Sequence, residues 1–159
     1  MKKCIRLLVE NLFDELYDIN QDDDVTIDVA DKVYRKTKEE LRKEIEEELN
    51  KQGPDADLNH LNLHGVTDMS NLFEGLKIKN IKIDKWDVSN VKNMSYMFNH
   101  CRNFNSNLKK WNVSNVTDMS CMFYHCTKFN CNLNKWDVSN VTNMFYMFSL
   151  CYKFNSDLS

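Results

Sequence analysis

A chain of 159 residues, 42% of them apolar, bounds one domain, or a small cap plus a second element, with enough apolar side chains for a real core. The net charge of −3 argues against a general nucleic-acid binder, and three glycines with one proline nearly exclude a phosphate-cradling loop. The charge is uneven: residues 1–53 carry 10 Lys and Arg against 15 Asp and Glu, net −5, whereas residues 54–159 carry 11 against 9, net +2.

In the first segment, residues 4–17, Ile5, Leu8, Leu12 and Leu16 share one helical face, which Leu7, Phe13 and Tyr17 widen. An amphipathic helix of this kind must dock, either as a cap over the following repeats or as a surface for a partner or a second copy. It begins basic but acquires Glu10, Asp14 and Glu15 at once, so it lacks the apolar core and cleavage site of a signal peptide. No stretch is apolar enough to span a membrane. The expected location is a reducing cytoplasm, with the six cysteines free and mostly buried. A secreted or surface location would need an export segment.

Residues 20–24, NQDDD, read as a solvated loop; clustered carboxylates suit a hard cation, but the Gly and terminal Glu of a calcium loop are missing. Residues 25–29, VTIDV, alternate as a short strand does, or lead into a short helix through Asp31 to Tyr34. A stronger helix opens at Thr37, where Thr37 and Glu40 form a capping box. Its inner stripe is Leu41, Ile45 and Leu49, and Gly53 followed by Pro54 ends it. The acidic run over residues 44–49 reads as a solvated face, with mimicry of nucleic-acid charge as the alternative.

From Lys85 the chain repeats one 25-residue sentence three times without gaps: residues 85–109, 110–134 and 135–159. Trp86, Trp111 and Trp136 recur, as do Val88, Val113 and Val138, then Met94, Met119 and Met144, then Phe98, Phe123 and Phe148. Residues 55–84 form a degenerate earlier copy, with Leu61, Leu63, Val66, Met69, Leu72 and Phe73 in the apolar places and Ile83 in that of Leu108. A fixed period of this size predicts stacked units that bury their apolar faces only against neighbours. The Trp-x-Val alternation predicts a short strand, and Met-x-x-Met-Phe one to two turns of helix capped by Asn93, Asp118 and Asn143. Asn90, Asn115 and Asn140 are expected to bond across the rungs. The predicted fold is therefore an α/β repeat, a short leucine-rich-repeat-like solenoid over residues 55–159 with one parallel strand and one short helix per coil, behind a helical N-terminal cap region over residues 1–54.

The sentence Trp-Asp/Asn-Val-Ser-Asn-Val, Asp/Asn-Met, Met-Phe, Cys, Phe-Asn, Asp/Asn-Leu closely resembles the BspA-like leucine-rich repeats of bacteria, also described as the mycoplasma-type lipoprotein repeat. The resemblance covers roughly Thr37 to Ser159. It implies a solenoid that binds other proteins, with no catalytic residues to carry over and a surface location that departs from the cytoplasmic expectation.

No nucleophile–base pair, metal-protease motif or paired acidic set emerges, so the chain reads as non-enzymatic, without catalytic residues, metal or cofactor. His100-Cys101 and His125-Cys126 recur one rung apart, but inward cysteines and outward histidines spoil a tetrahedral zinc site. Variable positions of the repeat are the ones free to read a partner: Tyr96, Tyr124, Phe145, Tyr146, Tyr152 and Arg102 are the candidate contacts. The last copy carries no polar cap, so Trp136, Val138, Met147, Phe154 and Leu158 form a candidate edge for a homodimer. The expected function is protein–protein interaction, either as a phage- or mobile-element-encoded cytoplasmic inhibitor of a host defence complex or as a fragment of a secreted or surface-anchored adhesin. The expected partner is another protein, with nucleic acid unlikely and no direct membrane contact.

Overall fold

The structure, a computed structural model, describes residues 35–156. The amphipathic segment 4–17, the acidic loop 20–24, the segment 25–29, Cys4 and Leu158 lie outside the described residues. The chain divides into two compact units, Met1–Arg35 and Lys36–Ser159.

Helix α1, Lys38–Gln52, forms as its sequence signals require. Thr37 is the N-cap: its hydroxyl accepts from the Glu40 amide at 3.2 Å, and the Glu40 carboxylate accepts from the Thr37 amide at 2.8 Å. That reciprocal bonding satisfies two of the amides a helix start leaves free, and holds the Glu40 carboxyl below the usual carboxylate range. Gly53, at φ 81°, closes the other end, its N–H donating to the Leu49 carbonyl at 2.8 Å. Leu41 and Ile45 are fully buried in the same core as Leu58, Phe73 and Phe98.

The expected α/β solenoid, with one strand and one short helix per coil, is not what the structure contains. Among the described residues α1 is the single helix, and extended pairing is confined to isolated parallel bridges: Asp57 with Lys82, Asp68 with Asn93, Asn93 with Asp118, and Asp118 with Asn143. The repeats instead form tiers of consecutive turns. Trp86 N–H donates to the Ile83 carbonyl and Val91 N–H to that of Val88, so tight turns close on both sides of the Trp-x-Val stretch and leave only its three residues between them, unpaired as a strand.

The Met-x-x-Met-Phe stretch divides its amides between two uses. Met94, Tyr96, Phe98 and His100 donate across to the Asp118, Ser120, Met122 and Tyr124 carbonyls of the next tier, whereas Met97, Asn99 and Cys101 close turns on Met94, Tyr96 and Phe98. A helix needs every interior amide for its own carbonyls; here alternate amides are spent between tiers. Left-handed backbone at Tyr96 (φ 58°) and His100 (φ 61°) also stops helical propagation, and the same occurs at Cys121, His125, Tyr146 and Leu150. Asn93, Asp118 and Asn143 consequently cap no helix. Their side chains accept from the amide two residues on, in Ser95, Ser120 and Phe145, as Asx-turns.

The apolar side chains do stack in columns. Trp86 lies over Trp111 with ring centroids 6.3 Å apart and planes 3° from parallel. Phe73, Phe98, Phe123 and Phe148 form a second column at 5.1, 5.5 and 5.6 Å. Phe104, Phe129 and Phe154 form a third at 5.7 and 5.8 Å. Each indole N–H reaches a carbonyl of the preceding tier: Trp86 to Leu58, Trp111 to Ile83 and Trp136 to Leu108. Ile83 and Leu108 thus hold equivalent places, and Leu58 precedes them by one period. Asn115 and Asn140 donate their side-chain amides to the Ser89 and Ser114 carbonyls at 2.7 Å, tying the outer corners of adjacent tiers.

Candidate functional site

Two backbone positions per tier adopt the left-handed region, four residues apart. In the first tier they hold Asn71 (φ 59°) and Gly75 (φ 71°), residue types that take this conformation at little cost. In later tiers the same places hold Tyr96 and His100, Cys121 and His125, then Tyr146 and Leu150. A bulky side chain there costs about 1–2 kcal/mol each. The later tiers thus carry strain at these six positions, four of which hold rings: Tyr96, His100, His125 and Tyr146.

The rings form a connected flank. His100 stacks on Tyr124 at 5.5 Å and meets His125 edge-on at 5.0 Å. Tyr124 reaches His125 and, at 6.4 Å, Tyr146; Tyr146 lies 4.0 Å from Phe145. Phe145 is 64% exposed and Tyr146 57%, an unusual degree for large aromatic side chains. The support beneath is polar and ordered: His100 Nδ1 faces Asn99 Oδ1 at 3.0 Å, and Asn99 donates to the Glu74 carboxylate at 2.6 Å.

Desolvation lowers the His125 pKa from its ordinary 6.5, and the nearby charges of Arg102 and His100 lower it further, so that ring is neutral at pH 7. The hydrogen bond with the Cys121 thiol raises that of the Tyr96 phenol. The Tyr96 phenol is thus uncharged at neutral pH, and the exposed Arg102 is the cation beside His125.

Of the residues singled out from sequence, the structure gathers Tyr124, Phe145 and Tyr146 into the cluster. Tyr96 is 41% exposed and tied to it through Cys121. Arg102 is exposed beside His125, while its carbonyl accepts from Lys128 N–H and the Thr127 hydroxyl. Tyr152, 73% exposed, joins no ring contact among the described residues. Trp136 and Phe154 are half-buried and Met147 buried, whereas Val138 is 38% exposed. His100 and His125 are the members that sequence reasoning missed. The signal was present in Asn71 and Gly75, whose types mark the left-handed positions.

The recurring cysteines face away from this flank. Cys101, Cys126 and Cys151 are free and buried, their thiols donating to the Phe73, Phe98 and Phe123 carbonyls at 2.9, 2.9 and 2.8 Å. Burial pushes the Cys101 thiol up to about 12 and that of Cys151 to about 11, and raises that of Cys126 too. Among the described residues no group of three or more His, Cys, Asp or Glu side chains is placed to hold a metal ion. None of the described helices is long and apolar enough to cross a membrane.

A family model described as "Mycoplasma protein of unknown function, DUF285" matches residues 42–159. No curated protein and no solved structure matches the chain.

Proposed function

The chain belongs to the DUF285 family of Mycoplasma proteins, and from that premise we propose that it is a non-enzymatic protein-binding module whose contact surface is the ring-bearing flank. The observation that carries this reading is the Phe145–Tyr146 pair, more than half exposed and held beside left-handed backbone at Tyr146. Exposed aromatic side chains that lose little freedom on contact are effective anchors for a partner.

The repeat motif supports a finer reading. Trp-Asp/Asn-Val-Ser-Asn-Val followed by Met-Phe is the signature of BspA-like repeats, and a binding role agrees with that likeness. The motif residues Trp86, Val88, Met94 and Phe98 are all buried in the stack, leaving the variable positions outside.

The test is affinity capture with the intact chain and with a Tyr124→Ala/Phe145→Ala/Tyr146→Ala variant, read by mass spectrometry. A protein enriched by the intact chain and lost from the variant supports the reading. Equal recovery by both removes the flank from the contact.

A further inference from the structure

On another surface of the stack lies an open groove of about 480 Å³, lined entirely by lysines and asparagines, among them Lys79, Lys128 and Lys153 with Asn80, Asn105 and Asn130. We propose that this groove binds an acidic, extended polypeptide segment of the partner through its carboxylates. The proposal rests on the protein-binding reading and adds the chemistry of the bound segment.

The first support is charge. Lys79, Lys128 and Lys153 are exposed, and none of them enters an ion pair or side-chain hydrogen bond among the described residues. No carboxylate lines the groove to neutralise them.

The second is the direction of hydrogen bonding on the floor. Asn105 and Asn130 each spend the side-chain oxygen on the next tier: Asn130 N–H donates to Asn105 Oδ1 at 2.8 Å, and Asn155 N–H to Asn130 Oδ1 at 2.9 Å. Their Nδ2 groups then remain as donors with no acceptor among the described residues. With the three ammonium groups these amides make a surface rich in donors, beside the side-chain oxygens of Asn80 and Asn103.

The third is a precedent within the chain. At the head of this ladder stands Asp55, where later tiers carry asparagine. Its Oδ1 accepts from both the backbone N–H and the Nδ2 of Asn80, at 3.2 and 3.1 Å. The structure thus shows what the asparagine amide takes when an acidic side chain is at hand. Asn130 repeats the backbone half of that arrangement, its N–H taking Asn105 Oδ1 in the carboxylate's place, whereas Asn105 N–H turns to the Lys79 carbonyl.

A polypeptide fits better than a nucleic acid. No aromatic ring lines the groove to stack a base.

The test uses the full chain and a fluorescein-labelled glutamate decapeptide, read by anisotropy at low and moderate salt. The intact chain is expected to bind the peptide, more weakly as salt rises. A Lys128→Gln/Lys153→Gln variant is expected to bind about tenfold more weakly or worse. Lys109→Gln/Lys110→Gln, which changes exposed lysines outside the groove lining, is expected to bind as the intact chain does. A circular dichroism melt confirms that the variants fold. No peptide binding by the intact chain, equal binding by all three proteins, or tighter binding of an oligothymidylate of equal charge would each overturn the proposal. A Phe145→Ala/Tyr146→Ala variant separates the two ideas. If the intact chain captures a protein through the flank but ignores the peptide, only the groove proposal falls; if the flank variant captures that protein equally well while the groove lysines still hold the peptide, only the flank reading falls.

Discussion

The Arg42 guanidinium donates to the Leu72 carbonyl at 3.3 Å, in the place where a tier donates an amide to its successor. Leu72 stands one period before Met97, whose carbonyl accepts the Phe73 amide. Among the described residues no tier precedes the first, which takes donors from α1: Arg42 also reaches the Asn71 carbonyl at 2.6 Å and that of Glu74 at 3.4 Å. Lys38 adds contacts to the Asp68 carboxylate and the Ser70 hydroxyl. The helix closes the stack by hydrogen bonding as well as by burying Leu41 and Ile45.

Removing that closure gives the first prediction. Arg42→Ala leaves the Leu72 and Glu74 carbonyls without a donor, while that of Asn71 keeps the Glu74 N–H, and is expected to cost about 1–3 kcal/mol. Arg42→Lys keeps the charge but cannot fork across them, and should recover only part of the loss. Urea unfolding midpoints measure both. A midpoint unchanged in Arg42→Ala would show that water serves these carbonyls equally well.

The turn-built tiers make a prediction opposite in sign to the helical expectation. Leu150 sits at φ 61° and is 36% exposed. In a helix, Leu150→Asn would weaken the fold, because asparagine is the poorer helix former. In the left-handed region asparagine is favoured, so the substitution is expected to stabilise by about 0.5–1 kcal/mol. Thermal melts decide the sign.

This contrast shows how much of the molecule was legible in the sequence. The period, the inward columns of Trp86 and Phe98, the capping box at Thr37 and the exposure of Phe145 and Tyr146 all follow from which residue types recur and where. Secondary structure within a tier did not follow. The spacing of Met94, Met97 and Phe98 matches one turn of helix, but it matches a run of turns equally well, since both place those side chains on one face. What separates them is the destination of the Tyr96 and Phe98 amides, which is settled by the neighbouring tier and written nowhere in the local pattern. Arg42 was equally invisible: a surface arginine on an acidic helix gives no sign that it will bond carbonyls some thirty residues later.

The second aromatic column should carry much of the stability. Phe98 is fully buried and stacks on Phe73, Phe104 and Phe123 at 5.1, 4.1 and 5.5 Å. Phe98→Ala is expected to cost about 3–5 kcal/mol. The exposed pair should behave otherwise: Phe145→Ala/Tyr146→Ala is expected to shift stability by no more than about 0.5 kcal/mol per residue. Parallel urea titrations of the two variants check the contrast.

The buried thiols predict a loss of stability in alkali. Both folded and unfolded Cys101 are protonated well below 9.0, the ordinary value. Between 9.0 and about 12 the unfolded chain ionises while the folded thiol does not, so stability falls as pH rises through that window. Cys151 acts in the same direction up to about 11, and Cys126 has the same sign. Urea midpoints at neutral pH and at about pH 10.5 measure the loss, which Cys101→Ala/Cys126→Ala should reduce.

Because each junction joins residue types one period apart, the length of this protein is quantised. Excising Lys110–Asn134 as a block would bring Met94 against Asn143 and Phe98 against Phe148, the same pairings the longer chain makes through its middle tier. Evolution can thus add or drop whole storeys, each about 4.8 Å tall, without redesigning a single joint, while an insertion of one residue would put every storey above it out of step.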